Sequence, residues 1–294
     1  MAAHQSVLLN EVLQQLDPKS GDRVVDGTLG RAGHAAEILR RTAPDGKFWG
    51  FDKDPQAVRE AKEILKDFGD RVMIFHEDFK NSASKLQSLN QKADAFLLDL
   101  GVSSPQLDEA GRGFSFRAEG LLDMRMNPAE LLTARQVIQT YPQKELADIF
   151  WKYGEERFSR RIAERIVEVR KKQRIETTTE LESIIWQAVP ASYRHGRIHP
   201  ATRVFQALRI EVNREIEALE LFLSRVLDVM ACGGRLVIIS FHSLEDRVVK
   251  NTFKDFARDE KGHIMTKKPI SATRDEIQRN PRSRSAKLRA FQKV

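Results

Sequence analysis

A chain of 294 residues, 41% hydrophobic and 31% charged, can bury a full core as one large or two smaller domains. Its apolar runs fall far short of the roughly 20 residues that span a bilayer, the start Met1–Gln5 lacks the basic-then-apolar pattern of a secretion signal, and the single cysteine, Cys232, excludes an intrachain disulfide and a cysteine-based structural metal site. We therefore expect a cytoplasmic protein without membrane association, and the net charge of +7 suggests a polyanionic partner.

Residues 6–16 form a short amphipathic helix by pattern, followed by a turn at Asp17–Asp22. Val24-Val25-Asp26 then reads as a strand, Gly27, Gly30 and Gly33 as a tight loop, and Ala35, Ala36, Ile38 and Leu39 as the start of a helix. Such glycines either serve plain packing or let the backbone approach a ligand, with the N–H groups that open the helix favouring polar or negative ligand groups. A dinucleotide fingerprint reads G-x-G-x-x-G. The spacing here, G-x-x-G-x-x-G after an acid, points instead to a nucleoside ligand without a pyrophosphate, S-adenosylmethionine foremost.

Lys47–Phe51 makes a second strand ending at Asp52, Asp54 and Pro55 open the next helix, Val72–Phe75 is a third strand and Ala95–Leu98 a fourth. This alternation predicts a doubly wound, Rossmann-like α/β sheet. For about a hundred residues only helical patterns follow, as an inserted helical domain would give. A long helix through Ile216–Met230, stopped by Gly233-Gly234, then returns the chain to the sheet at Leu236–Ile239, and a helix over 246–257 and strand-like segments near 263–268 and 287–293 complete it. The expected division is 1–106 with 213–294 as the ligand-binding domain and 107–212 as the insert.

Ligands of open α/β sheets bind at the carboxyl ends of the strands, where this sequence places Asp26, Asp52, Asp78-Phe79 and Asp99 in succession. An acid after the second strand can accept ribose hydroxyls, and Phe79 offers a flat face to an adenine ring. The loop Asp99–Asp108, rich in small polar residues, is expected to line the reacting centre unless it is a plain connector. His195, His199 and His242 lack metal-ligand spacing, so no metal is assigned. His242 reads equally as site lining or as a helix-entry residue.

Between Lys152 and Arg174 nine basic residues, among them Arg161, Arg165 and Lys172, face four acids. The run is either an RNA-facing helix or a solvated face in which Glu156 and Arg160 pair. The tail Arg279–Arg289, with Arg282 and Arg284, holds five basic residues and no acid. It suits a phosphate clamp or a flap over the cofactor.

The segments DGTLGRAGH, GFDKDPQA, DLGVSSPQLD, RGFSF, LDMRM, YGEERF, HPATRVFQALRIEVN, ISFHSLEDR and NPRSRSAKLR, running from His4 almost to the end, closely resemble the bacterial ribosomal RNA cytosine-N(4) methyltransferases of the RsmH (MraW) type. The resemblance implies an S-adenosylmethionine-dependent fold with a helical substrate domain inserted after the fourth strand, acting on a cytidine in the decoding region of small-subunit ribosomal RNA, free or in the assembled subunit. It implies that Ala32, Gly33, His34, Asp52, Phe79, Asp99 and Gln106 contact the cofactor, joined by Gly30 of the same loop. Asp99 and Ser103 are the candidates to hold the target amino group. Ala32 stands where the family usually has glycine, which is tolerable if φ there is negative, and Leu121 replaces a usual proline. The oligomeric state is open, a homodimer included. The rival readings are a nicotinamide-dependent oxidoreductase and an RNA-binding assembly factor that keeps the fold.

Overall fold

The computed structural model describes residues 6–294; the start read as lacking a secretion signal lies outside them. Contacts divide the chain into two compact units, one made of the chain up to Gly101 together with Ile216–Val294, the other of Val102–Glu215. The insert thus begins at residue 102 and ends at 215, where the sequence pattern placed 107 and 212.

In the first unit the elements run α1 (Leu9–Leu16), β1 (Arg23–Asp26), α2 (Gly33–Arg41), β2 (Lys47–Asp52), α3 (Pro55–Ile64), β3 (Val72–His76), α4 (Ser82–Ser88) and β4 (Ala93–Asp99). The second unit carries α5 (Ser104–Asp108), α6 (Ala134–Thr140), α7 (Gln143–Lys152), α8 (Ser159–Arg170), α9 (Thr178–Ala188), α10 (Ala191–Arg194) and α11 (Pro200–Asn213). The chain then continues as α12 (Glu215–Val229), β5 (Met230–Ser240), α13 (Ser243–Arg258), β6 (Gly262–Ile264), β7 (Ile270–Ser271), α14 (Arg274–Arg279) and β8 (Lys287–Lys293).

The sheet order is β3-β2-β1-β4-β5-β8-β6, with β7 also on β8. Strands β1 to β5 are parallel to their neighbours and β8 runs antiparallel to β5. Side chains alternate across this sheet. Val24, Phe48, Leu97, Val237 and Ile239 enter a core with α1 and α2, while Val25, Trp49, Phe96, Leu98, Leu236 and Ile238 enter another with α4, α12 and α13. Because β2 and β4 leave β1 on opposite sides, the strand order reverses between β1 and β4, and a crevice opens at their carboxyl ends.

Local chemistry sets the ends. Asp54 accepts the Gln56 N–H at 2.9 Å and Pro55 opens α3, as the sequence predicts. The glycines read as a stop after the long helix lie inside β5 instead: α12 ends at Val229, and exposed Gly233 at φ 78° lies within the register shift between Met230 and Arg235, opposite Ala93–Ala95 of the partner strand.

The second unit has no β-strand among its described residues and packs Val137, Leu146, Phe150, Ile162, Ile166, Leu181, Ile185, Val204 and Leu208 into its core. Its irregular segment before α6 is pinned by side chains. Asn213 accepts the Met126 N–H and donates to the Met124 carbonyl, both at 2.8 Å, while Arg112 donates to the carbonyls of Arg125 and Met126. Asp123 and Arg125 form a bidentate pair, and exposed Leu121 bridges Thr177. No helix among the described residues is long and apolar enough to cross a membrane.

Candidate active site

The glycine loop after β1 is built by its own hydrogen bonds. Asp26 accepts the Thr28 N–H at 3.0 Å, the Thr28 hydroxyl accepts the Asp99 N–H at 2.6 Å, and the Gly27 N–H reaches the Leu97 carbonyl at 2.9 Å, so β1 and β4 are tied where the crevice opens. Asp52 grips the other side of the loop. Its two oxygens accept the N–H groups of Gly30 and Asp54 at 2.8 and 2.9 Å. Each carboxylate oxygen keeps a second lone pair for another donor. A Cβ on Gly27 would lie 2.3 Å from Leu98 and 2.8 Å from Cβ of Phe79, so the glycine is what lets Phe79 lie against the loop; the Phe79 ring is held edge-on by Phe222.

Ala32 corrects the sequence reading. It is fully buried with φ 55° and ψ 22°, in the left-handed region, rather than at negative φ. The loop geometry here demands what glycine gives without strain, and an alanine adopts it at a cost of roughly 1 kcal/mol.

Three carboxyls meet at this edge. Burial, and secondarily the neighbouring Asp52, raises Asp26 to about 7. Burial raises Asp52 to about 6 against the opposing pull of its two backbone N–H bonds. Asp99 is raised furthest, to about 8, by burial first and then by Asp26 and Glu245. Its Oδ1 is buried without a hydrogen-bond partner among the described residues, and its Oδ2 lies 4.0 Å from Nδ1 of His34. His34 is fixed by its other ring nitrogen, 3.0 Å from the Val7 carbonyl. The fourth acid of the series, Asp78, departs from it: it caps a short 3₁₀ turn through the Lys80 N–H and lies 3.8 Å from both Lys53 and Lys80.

Glu245 was not singled out by sequence. It is buried on α13, accepts the Phe241 N–H at 2.9 Å and bears on Asp99. The signal in the sequence is the run SFHSLED, which leaves β5 at the same sheet edge and places an acid one helical turn after His242. That histidine is the helix-entry residue of α13: its Nδ1 accepts the Glu245 N–H at 3.4 Å. His199 likewise caps α11 through the Ala201 N–H, with Nε2 3.2 Å from Glu182 and its ring stacked between Phe116 and Trp186.

Ser103 and Gln106 belong to the second unit. Gln106 is buried and its Oε1 accepts the Ser103 N–H at 3.0 Å in a capping box that opens α5, while the Ser103 carbonyl accepts the Leu107 N–H.

The basic run divides. Arg161 and Lys172 are exposed, but Arg165 pairs with Glu168 at 3.1 Å, Arg170 donates to the carbonyls of Ile138 and Tyr141, and Arg157 stacks on Tyr193. Glu156 is no surface partner of Arg160. It is fully buried, accepting the Phe158 N–H and the Tyr193 hydroxyl. In the tail Arg282 and Arg284 are exposed on a 3₁₀ turn, whereas Lys287 and Arg289 enter β8 and pair with Asp246. Cys232 is exposed near the start of β5, at the sheet edge opposite Asp99.

The MraW methylase family model matches residues 1–294. The ribosomal RNA small subunit methyltransferase H of Heliobacterium mobile is 47% identical over 99% of this chain and 99% of its own. The proteins of the same name from Pelobacter propionicus and Synechococcus elongatus are each 47% identical over 99% of this chain, and over 98% and 95% of their own lengths. A methyltransferase homolog protein from Pyrococcus horikoshii superposes at 15% identity with a TM-score of 0.45, covering 95% of this chain and 64% of that one, too distant to add to the fold already described. With a doubly wound sheet, a glycine loop tied to its strand-end carboxyls, and a family match over the whole length, the chain belongs to the MraW methylase family.

Proposed function

We propose that the protein transfers a methyl group from S-adenosylmethionine to the exocyclic N4 of a cytidine in small-subunit ribosomal RNA, in the cytoplasm. The observation that carries the reading is the buried carboxyl cluster Asp26–Asp52–Asp99 at the strand ends, with the Asp99 Oδ1 lacking a hydrogen-bond partner among the described residues. At pH 7 Asp52 is mostly ionised and Asp26 about half, so a pyrophosphate would be repelled, whereas a ligand carrying a sulfonium and an ammonium would be drawn to them and would favour ionising Asp99 as well. This favours S-adenosylmethionine over a nicotinamide dinucleotide. The residues fit it: Gly30, where a Cβ would meet nothing nearer than the Thr28 carbonyl at 3.9 Å, leaves room for a close approach, Gly33 packs against Ser6 and Ala32 is buried, Asp52 has lone pairs for ribose hydroxyls, and Phe79 has a face for the base.

When bound, S-adenosylmethionine supplies an electrophilic methyl on sulfur, so the chain's own task is chiefly to orient the acceptor. The cytosine amino group is a weak nucleophile because its lone pair is delocalised into the ring. Without RNA, Asp99 would meet the cationic end of the cofactor; when the base enters, a hydrogen bond from its amino group to the same carboxylate holds it in line, and that carboxylate takes the proton that the methylated nitrogen sheds. The His34 ring, with Nδ1 4.0 Å from the Asp99 Oδ2, lies beside that carboxylate.

Methylation of ring carbon 5 would require a cysteine to add to the ring. Cys232 lies in the register shift of β5 opposite Ala93–Ala95, four to six residues of β4 before Asp99, roughly 13–20 Å along the strand. That distance supports a heteroatom target. Arg161, Lys172, Arg282 and Arg284 are proposed RNA contacts, with Arg165 a weaker one because its charge is paired.

The test is a pair of measurements on the purified protein. S-adenosylhomocysteine should raise the melting temperature while NAD does not, and labelled methyl should pass to small-subunit RNA, offered free and as assembled subunit. Stabilisation by NAD would restore the oxidoreductase reading, and cofactor binding without transfer to either RNA form would leave an assembly factor.

A further inference from the structure

On the flank of the sheet, away from the glycine loop, α13, β6, the segment after it and β8 enclose a cavity of about 300 Å³, lined by Lys250, Phe253, Lys254, Ile264, Thr266, Lys267 and Arg289. The lining holds four cations and no carboxylate. Arg289 is buried and spent on Asp246 at 2.7 Å. Lys250, Lys254 and Lys267 are exposed and form no ion pair with the described residues. Lys250 and Lys254, one helical turn apart, share a face of α13, and Lys267 comes from a separate segment. Three like charges converging without a counter-ion raise the free energy of the unliganded protein and lower that of an anionic complex.

The floor is apolar. Phe253 is buried and Ile264 half-buried, while the Thr266 hydroxyl accepts the Ala290 N–H at 2.9 Å and has its own proton to donate. Cations at the rim, an apolar floor and a hydroxyl donor match the parts of a single-stranded nucleotide. The strand order adds direction. From β4, whose end carries Asp99, β5 and β8 lead to this cavity, a lateral distance of roughly 10–15 Å at sheet spacing.

We propose that this cavity binds a nucleotide of the RNA strand flanking the methylated cytidine, its phosphate held by Lys250, Lys254 and Lys267. The proposal rests on the RNA-methylating function above and adds a second contact surface, on the sheet unit rather than on the helical insert.

The test is the triple variant Lys250→Gln, Lys254→Gln, Lys267→Gln, measured by direct binding of a single-stranded transcript of small-subunit RNA over a salt series. Losing this phosphate contact should reduce the slope of log affinity against log salt by about 0.7, and lower affinity at physiological salt. Melting temperature and S-adenosylhomocysteine affinity should stay at wild-type values, because all three side chains are exposed. An unchanged slope and affinity would overturn the proposal. So would millimolar inorganic phosphate raising the melting temperature of the wild type but not of the variant while both bind RNA equally, which marks a free-anion site. A wild type that binds RNA with the steeper slope but transfers no methyl would sink the function and leave the cavity's RNA contact standing.

Discussion

Replacing Asp99 by asparagine removes a charge without changing shape, and the structure sets how the loss should vary with pH. Burial beside Asp26 and Glu245 holds the carboxyl at about 8, so at pH 7 it is mostly protonated in the unliganded protein. Ionising it there to meet a cationic ligand costs on the order of 1 kcal/mol, about one pH unit's worth. A charge-assisted hydrogen bond to the ligand returns about 1.5–3 kcal/mol. The net advantage over asparagine at pH 7 is therefore at most about 2 kcal/mol, on the order of tenfold in affinity. At pH 9 the ionisation cost has vanished and the whole 1.5–3 kcal/mol appears, roughly 10- to 150-fold. Titration calorimetry of S-adenosylmethionine across pH 6–9 should show wild-type affinity rising to about pH 8 and levelling, with proton release near neutrality seen as a dependence on buffer ionisation enthalpy. Asp99→Asn should give a flatter profile. The same penalty at pH 6.5 and pH 9, or a wild-type affinity independent of pH, would refute the reasoning.

The three raised carboxyls also set stability. Between the unfolded value of 3.8 and their folded values of about 6 to 8, the folded protein binds more protons than the unfolded one, so the melting temperature of the unliganded protein should fall as pH rises through that window; a flat profile in differential scanning calorimetry would contradict the burial of the cluster. Ala32→Gly should change stability by less than about 0.5 kcal/mol, since relief of the positive φ and loss of a buried methyl nearly cancel, whereas Ala32→Val should cost about 2 kcal/mol or more in urea unfolding. If the valine variant matches wild type, the left-handed loop is wrong. Neutralising Arg161 and Lys172 should flatten the salt dependence of RNA binding by about 0.7 per contact, and Arg165 alone by less, because Glu168 already screens it; equal slopes for all three would show that this face does not meet RNA.

Much of the architecture was legible because burial writes itself as alternation. Phe48, Leu97 and Val237 fall on one face of the sheet and Trp49, Phe96 and Ile238 on the other, so each strand reads as a short continuous apolar run. The end of α12 was misread because Gly233-Gly234 carries the same local signal whether it stops a helix or loosens a strand, and only pairing with β4 decides. At the site, Asp26, Asp52 and Asp99 could be found from strand ends alone. The different fate of Asp78 could not, since it depends on Lys53 and Lys80 approaching from separate elements. Ala32 misled for a physical reason: residue type is a prior on φ, and surrounding hydrogen bonds overrode it. The basic run showed its composition but not its partners. Whether an arginine meets solvent or, like Arg170, a neighbouring helix's carbonyls is a tertiary fact.

The central claim is methyl transfer to a heteroatom of cytosine, without covalent help from the protein. Its most direct test is the nucleoside composition of small-subunit RNA after reaction with the wild type and with Cys232→Ser, digested and chromatographed against standards. The exposed thiol at the far sheet edge predicts N4-methylated cytidine in equal yield from both enzymes. Finding 5-methylcytidine, or a yield that depends on Cys232, would contradict the account.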